Sequence, residues 1–426
     1  MKKLFTGTLW KDKDFMRLWA GLSVSLVGSE VTVLALPTIA LLLLGASSFE
    51  VGALRAVETI AFPVLGLFVG VWADRLDPRR IMVVSNLIRL LALLSIPIVA
   101  LMFDLTMIQL FLVALLLGVC TVFFNVSYAT FLPLMVKRED LIDGNAKITL
   151  SQSAAKVAGP GLAGWLIGVV GAVQSIVIDA VGYLFAAVML MRIKTEEPKR
   201  GAGSNGGQAG FWSMMGDGIR LVFGNAILRS LMIITGCMNF GFSMVQPMLL
   251  IFAYQELQLT AGQVGIILSL GSTGFVAGAL VAKRVTLSLG LGKSLFFTSS
   301  LMGLSLAGLV FANFGSPVVL LTAFWFLTSL VLPIYDINAV TLRQSVTPTE
   351  LQGRMNATMR TVIWGAIPLG AMLGGAITGA AGVTASILIG GGVVFLSSFL
   401  ILFSDLIKLC EQPAEPTATL PSKQAI

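Results

Sequence analysis

Apolar and polar positions fall along this chain in long blocks, and the apolar blocks share one size. They cover residues 16–43, 50–72, 81–102, 108–131, 148–170 and 173–193, then 229–252, 261–283, 293–313, 316–337, 358–379 and 383–405. A helix needs about 20 apolar residues to cross the ~30 Å hydrocarbon layer of a bilayer, so each block is long enough to span. The pattern predicts an all-α membrane protein of twelve transmembrane helices in two groups of six. The expected organisation is an N-terminal six-helix bundle (1–193), a linker (194–226), a C-terminal six-helix bundle (227–409) and a tail (410–426). The linker contains the polar, Gly-rich stretch EEPKRGAGSNGGQAG followed by a weakly amphipathic segment, and the Pro- and Thr-rich tail is expected to be disordered.

The charges between the blocks add an orientation. Connections near 45–49, 103–107, 171–172, 253–260, 314–316 and 380–382 contain no Lys or Arg. The alternate connections carry nearly all of them, among them Lys2, Lys3, Arg75, Arg79, Arg80, Lys137, Arg138, Lys199, Arg200, Lys283, Arg284 and Arg354. By the positive-inside rule both termini and the linker face the cytoplasm, as in a multi-pass protein of the cell's inner (plasma) membrane. The apolar stretch after the basic N-terminus exceeds the ~7–15 residues of a cleavable signal, so that segment is expected to stay in the mature chain.

Composition narrows the chemistry. The chain is 56% hydrophobic and 12% charged, against about 25% charged for a soluble protein. Its net charge of +7 lies in short inter-block clusters and not on a basic face interleaved with aromatics, so no nucleic-acid partner is expected. There is no histidine, and Cys120, Cys237 and Cys410 are far apart, so neither a metal site nor a disulfide framework is expected. No nucleotide-binding P-loop and no nucleophile–base set occur, which argues against an enzyme and against ATP as energy source. No cofactor is expected.

Landmarks recur about 208–210 residues apart: Pro37 with Pro247, the Gly70 and Gly278 segments, Leu141 with Leu351, and Pro160 with Pro368. Duplication of a six-helix unit suits two pseudo-symmetric bundles working by alternating access around a central site.

Two motifs carry a family resemblance. Gly70-Val-Trp-Ala-Asp-Arg-Leu-Asp-Pro-Arg-Arg80 resembles motif A of the major facilitator superfamily, with Asp77-Pro78 as a departure. Ala155-Lys-Val-Ala-Gly-Pro-Gly-Leu-Ala-Gly164 resembles that superfamily's motif C, associated with exporters. Phe131-Leu-Pro133, Gly144-Asn-Ala146, Gly353-Arg354 and Pro368-Leu-Gly370 extend the resemblance to the drug:proton antiporter branch with macrolide-efflux and enterobactin-exporter proteins. The resemblance implies the major facilitator fold, a gate at Gly70, Asp74, Arg75, Arg79 and Arg80, and a packing motif at Gly159, Pro160 and Gly164. The fourth block carries no arginine, unlike some proton-coupled exporters.

Ionisable groups inside a membrane are functional candidates, because each must find a partner or a use. Glu30 is the sharpest, mid-helix beside Ser29 and Thr32; Glu58, Arg55 and Asp179 are the other proton-coupling candidates. Asn125, Asn239, Gln246, Trp325 and Tyr335 are candidate cavity residues. The leading expectation is proton-coupled efflux of an amphipathic or hydrophobic small molecule of the drug, macrolide or siderophore class. Import or symport of a small polar solute is the alternative, and a membrane enzyme or scaffold the third. The partners expected are the small-molecule substrate and the lipid bilayer; no obligate protein partner is implied, so a monomer suffices.

Overall fold

The computed structural model describes residues 8–73, 76–194 and 211–409. The described residues form helices and no strand. In chain order they are α1 (Lys13–Thr38), α2 (Ser48–Ala73), α3 (Pro78–Met102), α4 (Met107–Met135), α5 (Leu141–Val170), α6 (Ala172–Met191), α7 (Phe211–Gly224), α8 (Ala226–Ile251), α9 (Ala261–Leu289), α10 (Leu291–Gly308), α11 (Pro317–Ser345), α12 (Gln352–Ala381) and α13 (Val383–Leu402). Eleven helices among the described residues are long and apolar enough to cross a membrane. The 26-residue α2 occupies the place of the second expected span.

Local chemistry sets where the helices begin. Asp12 caps α1, its carboxylate accepting from the N–H groups of Asp14 (2.9 Å) and Phe15 (3.1 Å). Asn225 caps α8 in the same way, at 3.0 and 3.1 Å. Asp77 accepts from the Arg80 N–H at 3.1 Å, and Pro78 follows at the first helical position, where its missing N–H costs nothing. The Asp77-Pro78 departure from motif A is thus the start signal of α3. Gly171 (φ +90°) and Gly382 (φ +87°) turn α5 directly into α6 and α12 into α13, in backbone that a side chain resists. Many apolar side chains face outward, with Leu101 85% and Leu280 77% exposed, as lipid-facing helix surfaces require.

By internal contacts the chain divides into unit 1, Met1–Ala202 with Ala253–Ser269, and unit 2, Gly203–Phe252 with Leu270–Ile426. In unit 1, α1 packs on α5 and α6, α3 on α4 and α6, and α2 on α4. In unit 2, α8 packs on α12 and α13, and α10 on α11 and α13. Gly274 and Gly278 bring α9 against the Phe326 and Leu330 carbonyls of α11. The neighbour scheme is the same twice, so the duplication lies in the fold itself.

Helix ends correct the register of that repeat. α1 and α8 each have 26 residues and each run into a five-residue π-helical turn, Ile39–Leu43 and Phe252–Glu256. Pro37 is second from the end of α1, whereas Pro247 is fifth from the end of α8. Pro160 is likewise three residues later in its 30-residue helix than Pro368 in its own. The prolines are displaced by about one turn, and the expected spacing of 208–210 is short by that amount.

Two further findings refine the expected organisation. Residues 253–269, assigned by sequence to the C-terminal bundle, group with unit 1. The weakly amphipathic stretch of the 194–226 segment is the helix α7, which packs on α12 with Gly218 against Thr358. Residues 195–210, the tail 410–426, Asp74 and Arg75 lie outside the described residues.

Candidate functional site

A cavity of about 260 Å³ lies inside unit 1, and all of α1 to α6 contribute to its wall. Leu22, Leu26, Leu117 and Ile148 form an apolar part; Ser29, Thr32, Glu58, Arg89, Thr121, Asn125, Tyr128, Gln152, Asp179 and Tyr183 form a polar part. Of the sequence candidates, Glu58, Asn125 and Asp179 line this cavity.

Asp179 on α6 is fully buried. The Thr32 hydroxyl donates to its Oδ2 at 2.5 Å, and its Oδ1 has no hydrogen-bond partner. Gly28 of α1 makes the room, since a Cβ there would stand 2.6 Å from Oδ1 and 2.9 Å from the Asp179 Cα. The carboxyl therefore lies in the crossing of α1 and α6, where no cation reaches ion-pairing distance among the described residues.

Arg89 on α3 is also buried, and its position is fixed from four directions. Its guanidinium donates to the Thr121 hydroxyl (3.0 Å) and to Asn86 Oδ1 (3.4 Å). It lies 5.1 Å from the ring centroids of both Phe124 and Tyr183. Its Nε and the Tyr128 hydroxyl are buried without partners. Ser29 and Tyr183 share a hydrogen bond of 3.0 Å across α1 and α6. Arg55 and Glu58 form an ion pair of 2.7 Å on α2, as their spacing of three predicts.

Glu30 is elsewhere. It faces α5, where a Cβ on Gly159 would come within 2.5 Å of its own Cβ. Lys156 and Arg55 are the cations whose charge reaches it. Next to it the motif C helix is opened. Pro160 lacks an N–H, and at Gly161 the Ser269 hydroxyl of α9 enters the ladder, accepting from the Gly161 N–H (2.8 Å) and donating to the Val157 carbonyl (2.5 Å). Gly164 completes the contact, with a Cβ there falling 2.7 Å from the Gly265 Cα.

Around motif A, Arg79 donates to the carbonyls of Leu190 (2.8 Å) and Met191 (2.5 Å), capping the C-terminal end of α6. Arg80 pairs with Asp77 at 3.1 Å in an exposed position, and Gly70 lies within α2. The remaining cavity candidates belong to unit 2. Tyr335 is buried with its hydroxyl 2.9 Å from that of Thr235, and Asn239 donates to the Thr235 carbonyl of its own helix. Trp325 stacks on Phe242 at 6.1 Å, and Gln246 is half-buried on α8.

The fold finds its counterparts among transporters. The sequence profile described as "Transmembrane secretion effector", a major facilitator family, matches residues 9–425. The chain belongs to that family. A multidrug efflux pump, Tap, of Mycolicibacterium fortuitum is 24% identical over 380 residues, covering 87% of this chain and 90% of Tap. Macrolide efflux protein A of Streptococcus pyogenes is 24% identical over 394 residues, covering 90% and 94%. A bacterial homologue of the iron transporter ferroportin, solved in an inward-facing state, shares the fold with a TM-score of 0.74 at 16% identity, covering 92% of this chain and 98% of its own. As a member of the major facilitator superfamily the chain is a multi-pass membrane transporter and not an enzyme.

Thr32 enters the sequence candidates only as a neighbour of Glu30, and Thr121, Tyr128, Gln152 and Tyr183 are not among them. An intramembrane arginine within reach of an intramembrane aspartate was the available signal.

Proposed function

We propose that this major facilitator transporter is a proton-driven exporter of amphipathic or hydrophobic small molecules, working by alternating access in the cell's plasma membrane with both termini cytoplasmic. The observation that carries the reading is the extent of likeness to the two efflux proteins: 90% and 94% of their own lengths align, so both six-helix units share in it. The positive-inside pattern supports the orientation. Glu30, Glu58, Arg55 and Asp179 remain the candidates for coupling, with the proton gradient as energy source. The test is accumulation of macrolides and dyes in cells with and without the chain, before and after the gradient is collapsed. Lower accumulation that vanishes with the gradient supports export; equal accumulation in all four conditions refutes it.

A second reading, proton-coupled uptake of a small polar solute, draws on the unit 1 cavity. Charged and amide side chains converge there more densely than the sequence suggested. Uptake of labelled sugars or small acids into vesicles under an inward proton gradient separates the two.

A further inference from the structure

The duplicated fold contains its own control for the buried charges. α6 and α13 are both 20 residues long and both start from a glycine of the same left-handed conformation. Asp179 is the eighth residue of α6, and the eighth residue of α13 is Gly390. In the equally long α1 and α8, Gly28 matches Gly241 and Thr32 matches Val245. The contacts confirm the register: Gly28 faces Asp179, and Gly241 faces the Gly390 carbonyl and Val394, the counterpart of Tyr183. Arg89, twelfth in α3, is matched by buried Met302, twelfth in α10. Unit 2 thus builds the same crossing from Gly, Val, Val and Met. The fold does not need the Asp–Thr–Tyr–Arg group; a buried charge in lipid is costly and is retained for use.

We propose that Asp179 is the proton-binding carboxyl of this transporter, and that the unit 1 cavity takes the cationic head of an amphiphilic substrate in competition with that proton. The proposal rests on the proton-driven reading above and names its site. Thr32 bonds Asp179, and the polar groups that share its cavity are Ser29 from α1, Glu58 from α2, Arg89 from α3, Tyr128 from α4, Gln152 from α5 and Tyr183 from α6. Glu58 is already neutralised by Arg55, while Glu30 lies against Gly159 of α5 and does not line the cavity. With Asp179 ionised, its charge cancels that of Arg89. When it accepts a proton from one side of the membrane, the cavity gains one net positive charge and repels a cation; release of that proton to the other side restores the site. Arg89, held between two rings, cannot move away to relieve the charge. The volume of about 260 Å³ is at the lower edge of the ~300–1,000 Å³ of drug pockets, enough for a charged head and not a whole drug.

The test is binding of ethidium, whose cationic charge is independent of pH, to the purified full chain, read by fluorescence anisotropy. Wild-type affinity is expected to fall at least about tenfold on acidification, the coupling scale of a two-site system. Asp179→Asn is expected to bind weakly at every pH, and Asp405→Asn, at an exposed carboxyl of unit 2, to keep the wild-type pH dependence. Retained pH dependence in Asp179→Asn, loss of it in Asp405→Asn, or no binding by wild type overturns the proposal. Should Asp179→Asn fail to fold, the infrared carboxyl band that changes on ethidium release from wild type decides. Thr32→Val must shift that band, because the Thr32 hydroxyl bonds the Asp179 carboxyl, and an unshifted band overturns the assignment. Failure of the export reading is separate, because wild-type vesicles would then move no macrolide or dye under a proton gradient whatever the binding result.

Discussion

Single side chains at the unit 1 cavity are poised in ways that ordinary substitutions expose. Arg89 donates from two nitrogens and stacks between Phe124 and Tyr183, and a lysine ammonium supplies neither the planar fork nor the double stacking. Arg89→Lys is expected to cost about 1 kcal/mol in detergent unfolding and to lower transport about tenfold or more. Arg80→Lys, at a side chain 85% exposed, should leave both within about twofold. Unfolding curves and vesicle transport of the two variants check the contrast. The sequence made the intramembrane charges visible but not their directions. Glu30 stood out because Ser29 and Thr32 flank it, yet each residue turns a helix by about 100°. Ser29 and Thr32, three apart, share the cavity face, and Glu30 between them is turned onto Gly159 of α5. Hydropathy alone carries no such angle when the helix is apolar all round.

Whole elements were legible where length decided them and illegible where contacts did. Among the described residues each of the twelve apolar blocks lies in a long helix, because lipid demands the length. Their ends were missed where charged residues extend a helix beyond its apolar run. α5 starts at Leu141 and not 148, held by the Asp143–Lys147 ion pair. The opening of α5 by Ser269 depends on a residue more than 100 positions away and left no local trace. It does have a consequence. Ser269→Ala removes the inserted hydroxyl, so the Gly161 N–H is expected to return to the Val157 carbonyl and straighten α5 at its glycine–proline motif. Spin labels placed on either side of Pro160 should report a longer separation, with transport reduced. Two glycines of the same helix give a stability contrast. Gly164→Ala forces a methyl group against the Gly265 backbone and should destabilise the fold by about 1–3 kcal/mol. Gly168→Ala meets nothing within 4 Å and should stay within about 0.5 kcal/mol of wild type. Equal melting of the two would remove the close α5–α9 contact from the account.

At the scale of the molecule, one fold repeated with different side chains allows structural and functional roles to be separated by exchange. Thr32 and Val245 hold the twentieth place in α1 and α8, the first bonded to Asp179 and the second packed against Gly390. Thr and Val have nearly the same shape, so exchanging them moves one hydroxyl and little volume. If that hydroxyl served only to hold helices together, Thr32→Val and Val245→Thr would lower stability and transport in parallel. The Val245→Thr hydroxyl can bond a carbonyl of its own helix, so transport should remain within about twofold of wild type. Thr32→Val strips the carboxyl of its one partner, and its effect should fall on the pH dependence of transport while the melting temperature stays close to that of Val245→Thr. Transport against pH in reconstituted vesicles, with detergent melting curves on the same preparations, measures both. Parallel loss in the two variants would mean that the polar group of unit 1 is packing, and that the two halves differ by drift and not by task.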